Sequence, residues 1–312
     1  MTNPPERREH PLPSAARRWA PLAPFIDLEE ALARAAETRG PWIAGLYEFL
    51  RFGVKQGWAC LFGGVMVALL IATYLAYPKG AALARYDFLC LAALAIQVAL
   101  LALRVETMEE ARVILLFHVV GTAMEVFKTA AGSWIYPEPS LLRIGGVPLF
   151  TGFMYACVGS YIARCWRLFD FRFSGHPGLP ALLILSAGIY ANFFAHHYVI
   201  DLRYLLFAAT AFLFRKSVVH FKVWRVHRRM PLLLGFLLVA FFIYLAENVG
   251  TFTGAWLYPG QRTGWSPVGL PKLGSWFLLM IISYAMVAAL NGIPVPDRSL
   301  KTPSLLMLRW PR

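Results

Sequence analysis

ENVGTFTGAWLYPGQ, residues 247–261, ends a long apolar run with an acid and leads it into Trp-Leu-Tyr-Pro. EVFKTAAGSWIYPEP, residues 125–139, repeats Glu, Thr, Gly, Trp, Tyr and Pro at the same spacing. The likeness continues into GGVPLFTGFMYACVGSYI and VGLPKLGSWFLLMIISYA, where Pro148 matches Pro271 and Ser160-Tyr161 matches Ser283-Tyr284. Each copy reads as a helix, a loop and a returning helix. The chain is therefore expected to carry an internal duplication.

The surrounding composition is that of a membrane protein. Of 312 residues, 58% are hydrophobic and 15% charged, with a mean hydropathy of +0.56, against roughly a quarter charged in soluble domains. Apolar runs of about 17–25 residues suit a hydrocarbon core. They begin near Gly57, Leu83, Val113, Val147, Leu179, Leu202, Pro231 and Pro271. The expected fold is all-α, a polytopic transmembrane helix bundle of about eight spans. The sixth run, residues 202–214, is short and spans only if Arg203 and Arg215 snorkel. Spans three and four correspond to seven and eight, and an offset of four makes the repeats parallel.

The other boundaries follow from charge and composition. Residues 1–26 read as a disordered, basic, Pro-rich tail, and residues 293–312 as a basic tail. Residues 27–55 read as an amphipathic, interfacial helical segment opened by an Asp27/Glu30 capping box, and residues 56–292 as the transmembrane domain. No cleavable leader is expected before the first run, which is expected to serve as its own insertion signal. The net charge of +13 is an orientation signal. Arg17, Arg18, Arg51 and Lys55 precede the first span; Arg164, Arg167 and Arg172 follow the fourth. The basic loop 215–229 follows the sixth, and Arg298, Lys301, Arg309 and Arg312 follow the last. This distribution predicts a multi-pass protein of a bacterial inner membrane with both termini cytoplasmic. Membrane lipids are its expected partners, anionic ones along loop 215–229; nucleic acid is not.

Cys60, Cys90, Cys157 and Cys165 lie in or beside apolar runs and suggest neither disulfides nor a thiolate metal site. Dinucleotide, nucleotide-triphosphate and hydrolase motifs are absent from the sequence.

Parity of the spans puts both Trp-x-Tyr-Pro loops on the outer side. There the fifth span ends in ANFFAHHYVIDLR, which supplies Asn192, His196, His197, Asp201 and Arg203. An acid inside a membrane span is expensive, so Glu125 and Glu247 are candidate functional groups. Glu125 also has a structural reading, as a partner of Lys128 three residues on. His118 lies two turns from Glu125 on one face, where the other copy has Ala240. It reads either as a ligand or proton carrier or as a hydrogen-bonded packing residue.

His196 and His197 point about 100° apart if helical. With His10 in the tail and His176, His220 and His227 in cytoplasmic loops, a multi-histidine di-iron cluster is not expected. A single metal ion held by His118, His196 or His197, with Asp201 and the glutamates, stays open. Trp134, Tyr136, Trp256 and Tyr258 read as interface anchors or as support for a substrate pocket. Gly132 and Gly254 read as turn or close-packing positions. Ser160, Tyr161, Ser283 and Tyr284 are expected to hydrogen-bond the glutamates.

The strings EVFKTAAGSWIYPEP, GVPLFTGFMYACVGSYIARCWRLFDF, ANFFAHHYVIDLR and ENVGTFTGAWLYPGQ together resemble the YoaT-like family of uncharacterised bacterial integral membrane proteins, a domain of unknown function (number 817). The resemblance covers roughly residues 50–292. It implies a membrane fold and no established activity. More loosely, Glu followed by Gly, aromatic-x-Tyr and Gly-x-Pro resembles membrane carotenoid hydratases of the bisanhydrobacterioruberin type. That likeness implies acid/base chemistry on a lipid or isoprenoid-like substrate. Glu247 would be the general acid, with Glu125, His196 or Asp201 handling water and Asn192 holding the site; no cofactor is required. The alternatives are a proton-coupled transporter or channel, and a structural or assembly protein.

Overall fold

The computed structural model describes residues 23–295. His10, Arg17 and Arg18, most of the expected N-terminal tail, and Arg298, Lys301, Arg309 and Arg312 of the C-terminal tail lie outside the described residues. Two compact units divide at residues 54 and 55.

The first unit contains α1 (Ala23–Thr38) and most of α2 (Pro41–Ala59). Gly40, at φ +100°, makes the turn between them, and proline opens the next helix, where its missing N–H costs nothing. Glu29 fixes the pair by pairing with Arg51 at 2.7 Å and accepting from the Tyr47 hydroxyl at 2.5 Å. Because α1 begins at Ala23, Asp27 sits inside the helix, which corrects the expected capping box at Asp27.

In the second unit, a helix forms at each of the eight apolar runs. They are α3 (Leu61–Ala76), α4 (Arg85–Ala102), α5 (Met108–Ala130), α6 (Phe150–Leu168), α7 (Leu179–Ala195), α8 (Arg203–Phe214), α9 (Leu232–Phe252) and α10 (Pro271–Asn291). The described residues are mostly helical, 67% of them. Among the described residues four helices, α4, α5, α9 and α10, are long and apolar enough to cross a membrane; α2 and α3 taken as one span would make five. Arg164 and Arg167 lower the apolarity of α6, and α7 and α8 have only 17 and 12 residues.

The α5–α6 pair shows how sequence sets packing. Thr107 and Glu110 form a reciprocal capping box that starts α5. Further along, a Cβ on Gly121 would stand 2.7 Å from Tyr155, and one on Gly159 2.7 Å from Phe117. Glycine lets these two helices close to a distance that alanine would forbid. Phe62, Met66, Phe117, Ala156, Phe236 and Ile281 contribute to the main core, while Tyr86, Leu89, Phe150 and Ala255 form a smaller one.

Two small sheets accompany the helices, which the expectation of an all-α fold did not include. β1 (Arg143–Ile144) and β2 (Val147–Pro148) form a short antiparallel hairpin. β3 (Arg172–Ser174), β4 (Val218–Lys222) and β5 (His227–Pro231) form an antiparallel sheet in that order. The basic loop had concealed a strand: Val218, Val219 and Phe221 are β-branched or aromatic residues in a short segment, with Val219 buried. Arg164 is also corrected from an orientation charge to an internal one. It is fully buried, with Nη2 2.6 Å from Glu106, and Ser160 and Gln97 donate to the same carboxylate. Arg167 pairs with Glu110 at 3.0 Å.

Candidate functional site

α5 and α9 end alike. Each last turn is followed by a residue near φ −78°, ψ 0–2°, and then by Gly132 or Gly254 at φ +74° or +67°. The left-handed glycine turns the chain back over its own helix. Trp134, nine residues after Glu125, therefore donates from Nε1 to Glu125 Oε2 at 2.7 Å. Trp256, nine residues after Glu247, donates to Glu247 Oε1 at 3.1 Å. Tyr136 and Tyr258, each eleven residues on, donate their hydroxyls to the same oxygens. The residue between Trp and Tyr joins the loops: Ile135 and Leu257 exchange both backbone hydrogen bonds at 2.9 Å.

This geometry corrects the reading of the aromatics as interface anchors, because their polar tips point inward at carboxylates. Burial, and then the adjacent glutamate charge, push the Tyr136 and Tyr258 phenols well above their ordinary value, which keeps both as donors. Arg85 ties α4 to the same platform, reaching Glu138 Oε1 at 2.7 Å and Thr253 O at 3.0 Å. Asp87 accepts from the Leu141 and Leu142 amides, each at 2.8 Å.

The glutamates differ in one respect. Glu125 also accepts from the Tyr155 hydroxyl at 2.7 Å, so both of its oxygens are engaged. Among the described residues no donor reaches Glu247 Oε2. Lys272 lies within electrostatic range of both carboxylates and over the rings of Tyr258 (4.4 Å) and Trp134 (5.0 Å). Sequence reasoning missed Tyr155 and Lys272. A lysine directly after Pro271 at the head of an apolar helix was the available signal for the second.

Several expected partners are elsewhere. Tyr161 donates to Gln56 (2.9 Å), Ser160 to Glu106 (3.0 Å), and Tyr284 meets His176 Nε2 at 2.8 Å. They stand too far along their helices from the loop end to reach Glu125 or Glu247. Lys128 turns away from Glu125 and places Nζ 3.0 Å from His197 Nε2 and 4.2 Å from the centre of the Phe193 ring. His118 packs on Phe153 at 4.4 Å, with Nδ1 buried and unbonded.

The end of α7 gathers the remaining candidates. α7 stops at Ala195, and the His196 and His197 rings lie 4.1 Å apart, tilted by 33°, where a continued helix would have splayed them. Asn192 donates to Asp201 at 3.0 Å and accepts from the Leu202 amide at 2.9 Å; Arg203 pairs with Asp201 at 3.3 Å. Burial alone would raise the Asp201 carboxyl, but the Asn192 amide, the Arg203 backbone N–H and the Arg203 charge outweigh it and hold it below its ordinary value. Burial, then Lys128 and His196, lower His197. Among the described residues no three His, Cys, Asp or Glu side chains are grouped to hold a metal ion. All four cysteines are free thiols.

Lys128, Trp134, Asn192, His196, Arg203 and Lys272 line a cavity of about 110 Å³. Arg203, Lys272 and Ser275 also line a wider one of about 420 Å³ beside Tyr258 and Gln261. Neither glutamate lines either cavity.

A family model described as "Protein of unknown function (DUF817)" matches residues 48–284. The uncharacterized protein YoaT of Bacillus subtilis (strain 168) is 42% identical over 247 residues, 79% of this chain and 92% of that relative. No solved structure matches.

Proposed function

The chain belongs to the DUF817 family of proteins of unknown function, and from that premise we propose that it is a carrier of a small polar ligand. The observation that supports this reading most is the shared wall: Arg203, Lys272 and Ser275 belong to both cavities, so a ligand passing from the wider to the narrower keeps these three side chains in reach. Asn192, His196 and Arg203, chosen from sequence as site residues, line the narrower cavity. In this account all eight apolar helices take part in the membrane domain and both termini are cytoplasmic. The Glu-Trp-Tyr loops descend from a duplicated helix pair, and their contacts with the glutamates brace the cavity wall.

The acid/base alternative draws support from one feature, the free Oε2 of Glu247 beside Lys272. Hydration of an isoprenoid would still require the alkene to reach that oxygen, and Glu247 lines neither cavity. The experiment is to place the full chain in liposomes and follow swelling in glycerol, a neutral amino acid, acetate and phosphate, with lipids analysed by mass spectrometry. Protein-dependent entry of at least one solute with unchanged lipids is expected. Lipid hydration products that vanish in Glu247→Gln, with no solute entry, would replace the carrier reading by the hydratase one.

A further inference from the structure

Lys128 is 3% exposed, yet among the described residues it makes no ion pair. Its ammonium has a ring face and one imidazole nitrogen for company. A cation taken out of water is costly; Asp201, the one opposite charge within electrostatic range, is already paired with Arg203, and two more cations add to the cost. Lys272 and Arg203 are both within electrostatic range of Lys128. Lys272 makes no ion pair among the described residues, with Glu247 and Glu125 in electrostatic range but held by their own donors, and Arg203 shares Asp201 with the Asn192 amide. The three cations line one cavity together with Asn192, Ser133 and Ser275, and no carboxylate lines it.

We infer that this cavity is a binding site for an oxyanion group, a carboxylate or phosphate carried either by a free ion or by the head of an amphiphile. This identification of the ligand rests on the carrier reading above. An oxyanion would meet a guanidinium able to bind it through two N–H groups and two ammonium point charges. Ser133, Asn192 and Ser275 add neutral donors. A space of about 110 Å³ has room for a head group. The remainder of a longer ligand has the wider cavity, walled by Tyr258, Pro267, Val268 and Pro271.

The test uses the full chain in a neutral detergent, with equilibrium binding of radiolabelled orthophosphate in one arm and native mass spectrometry with added phosphatidic acid in the other. Lys272→Gln and Lys128→Met should each weaken binding at least tenfold, and Lys272→Arg should restore it. Removing a buried charge that faces two other cations and only the distant Asp201 should also leave the thermal midpoint of Lys128→Met at or above that of the parent without ligand, whereas a structural lysine would lower it. Saturable phosphate binding with this variant pattern establishes a free ion as ligand; phosphatidic acid binding alone, with the same pattern, establishes a lipid head. Binding of neither, or equal binding by all variants, overturns the inference. Neutral-solute entry persisting in that case would leave the carrier reading standing, and its absence would remove both.

Discussion

Ile135 and Leu257 exchange two backbone hydrogen bonds of 2.9 Å, and this single bridge couples two loops whose tryptophans and tyrosines each grip the glutamate of their own helix. The grip and the bridge have different sequence origins. Side-chain identity sets the first, and the left-handed glycine turn sets the second.

Trp134→Phe and Trp256→Phe each remove a donor to a buried carboxylate, worth about 1.5–3 kcal/mol. Because the loops are bridged, the double variant should lose less than the sum of the two. Denaturation of the three variants in detergent measures both quantities.

Glu125→Gln should destabilise more than Glu247→Gln. The amide nitrogen would face donors at Glu125, where Trp134, Tyr136 and Tyr155 occupy both oxygens, whereas Glu247 has one oxygen without a donor. A thermal midpoint that falls further for Glu247→Gln would contradict the assignment of donors.

Gly250→Ala should be worse than Gly254→Ala. A Cβ at Gly250 would lie 2.1 Å from the Trp256 ring, which has no room to retreat while it donates to Glu247. At Gly254 there is open space and only the cost of φ +67°, about 1 kcal/mol.

Stability should rise with pH through two windows. Asp201 titrates below its ordinary value of about 3.9 when folded. Its contribution is therefore present above about pH 3.9 and lost as pH falls through the lower folded value. His197 also titrates below its ordinary value, about 6.5, so the folded state binds fewer protons and loses stability as pH falls from about 6.5 toward that folded value. Thermal midpoints between pH 3 and pH 8 should show both slopes, and His197→Gln should flatten the upper one.

The positions of all eight helices were legible because apolar run length reports directly on helices of this kind, and Pro148 and Pro271 mark the starts of returning helices to within two residues. The pairing of each glutamate with its own loop was partly legible, since Glu, Gly, Trp and Tyr recur at fixed spacing. The donor set was not. Tyr155 reaches Glu125 across thirty residues, and nothing local distinguishes it from Tyr161, which bonds Gln56. The strands at 218–222 and 227–231 were hidden because their basic residues outweigh a short β-branched pattern. The cavity was invisible for a related reason: Lys128, Arg203 and Lys272 come from three helices, and each alone reads as a helix-end charge.

Solute entry into liposomes carrying Lys272→Gln, set beside the parent and Tyr155→Phe, tests most directly whether function resides in the cationic cavity. The account predicts that Lys272→Gln abolishes entry while Tyr155→Phe, which removes one donor to Glu125 and nothing from the cavity wall, retains it. Entry at the parental rate through Lys272→Gln would contradict the account.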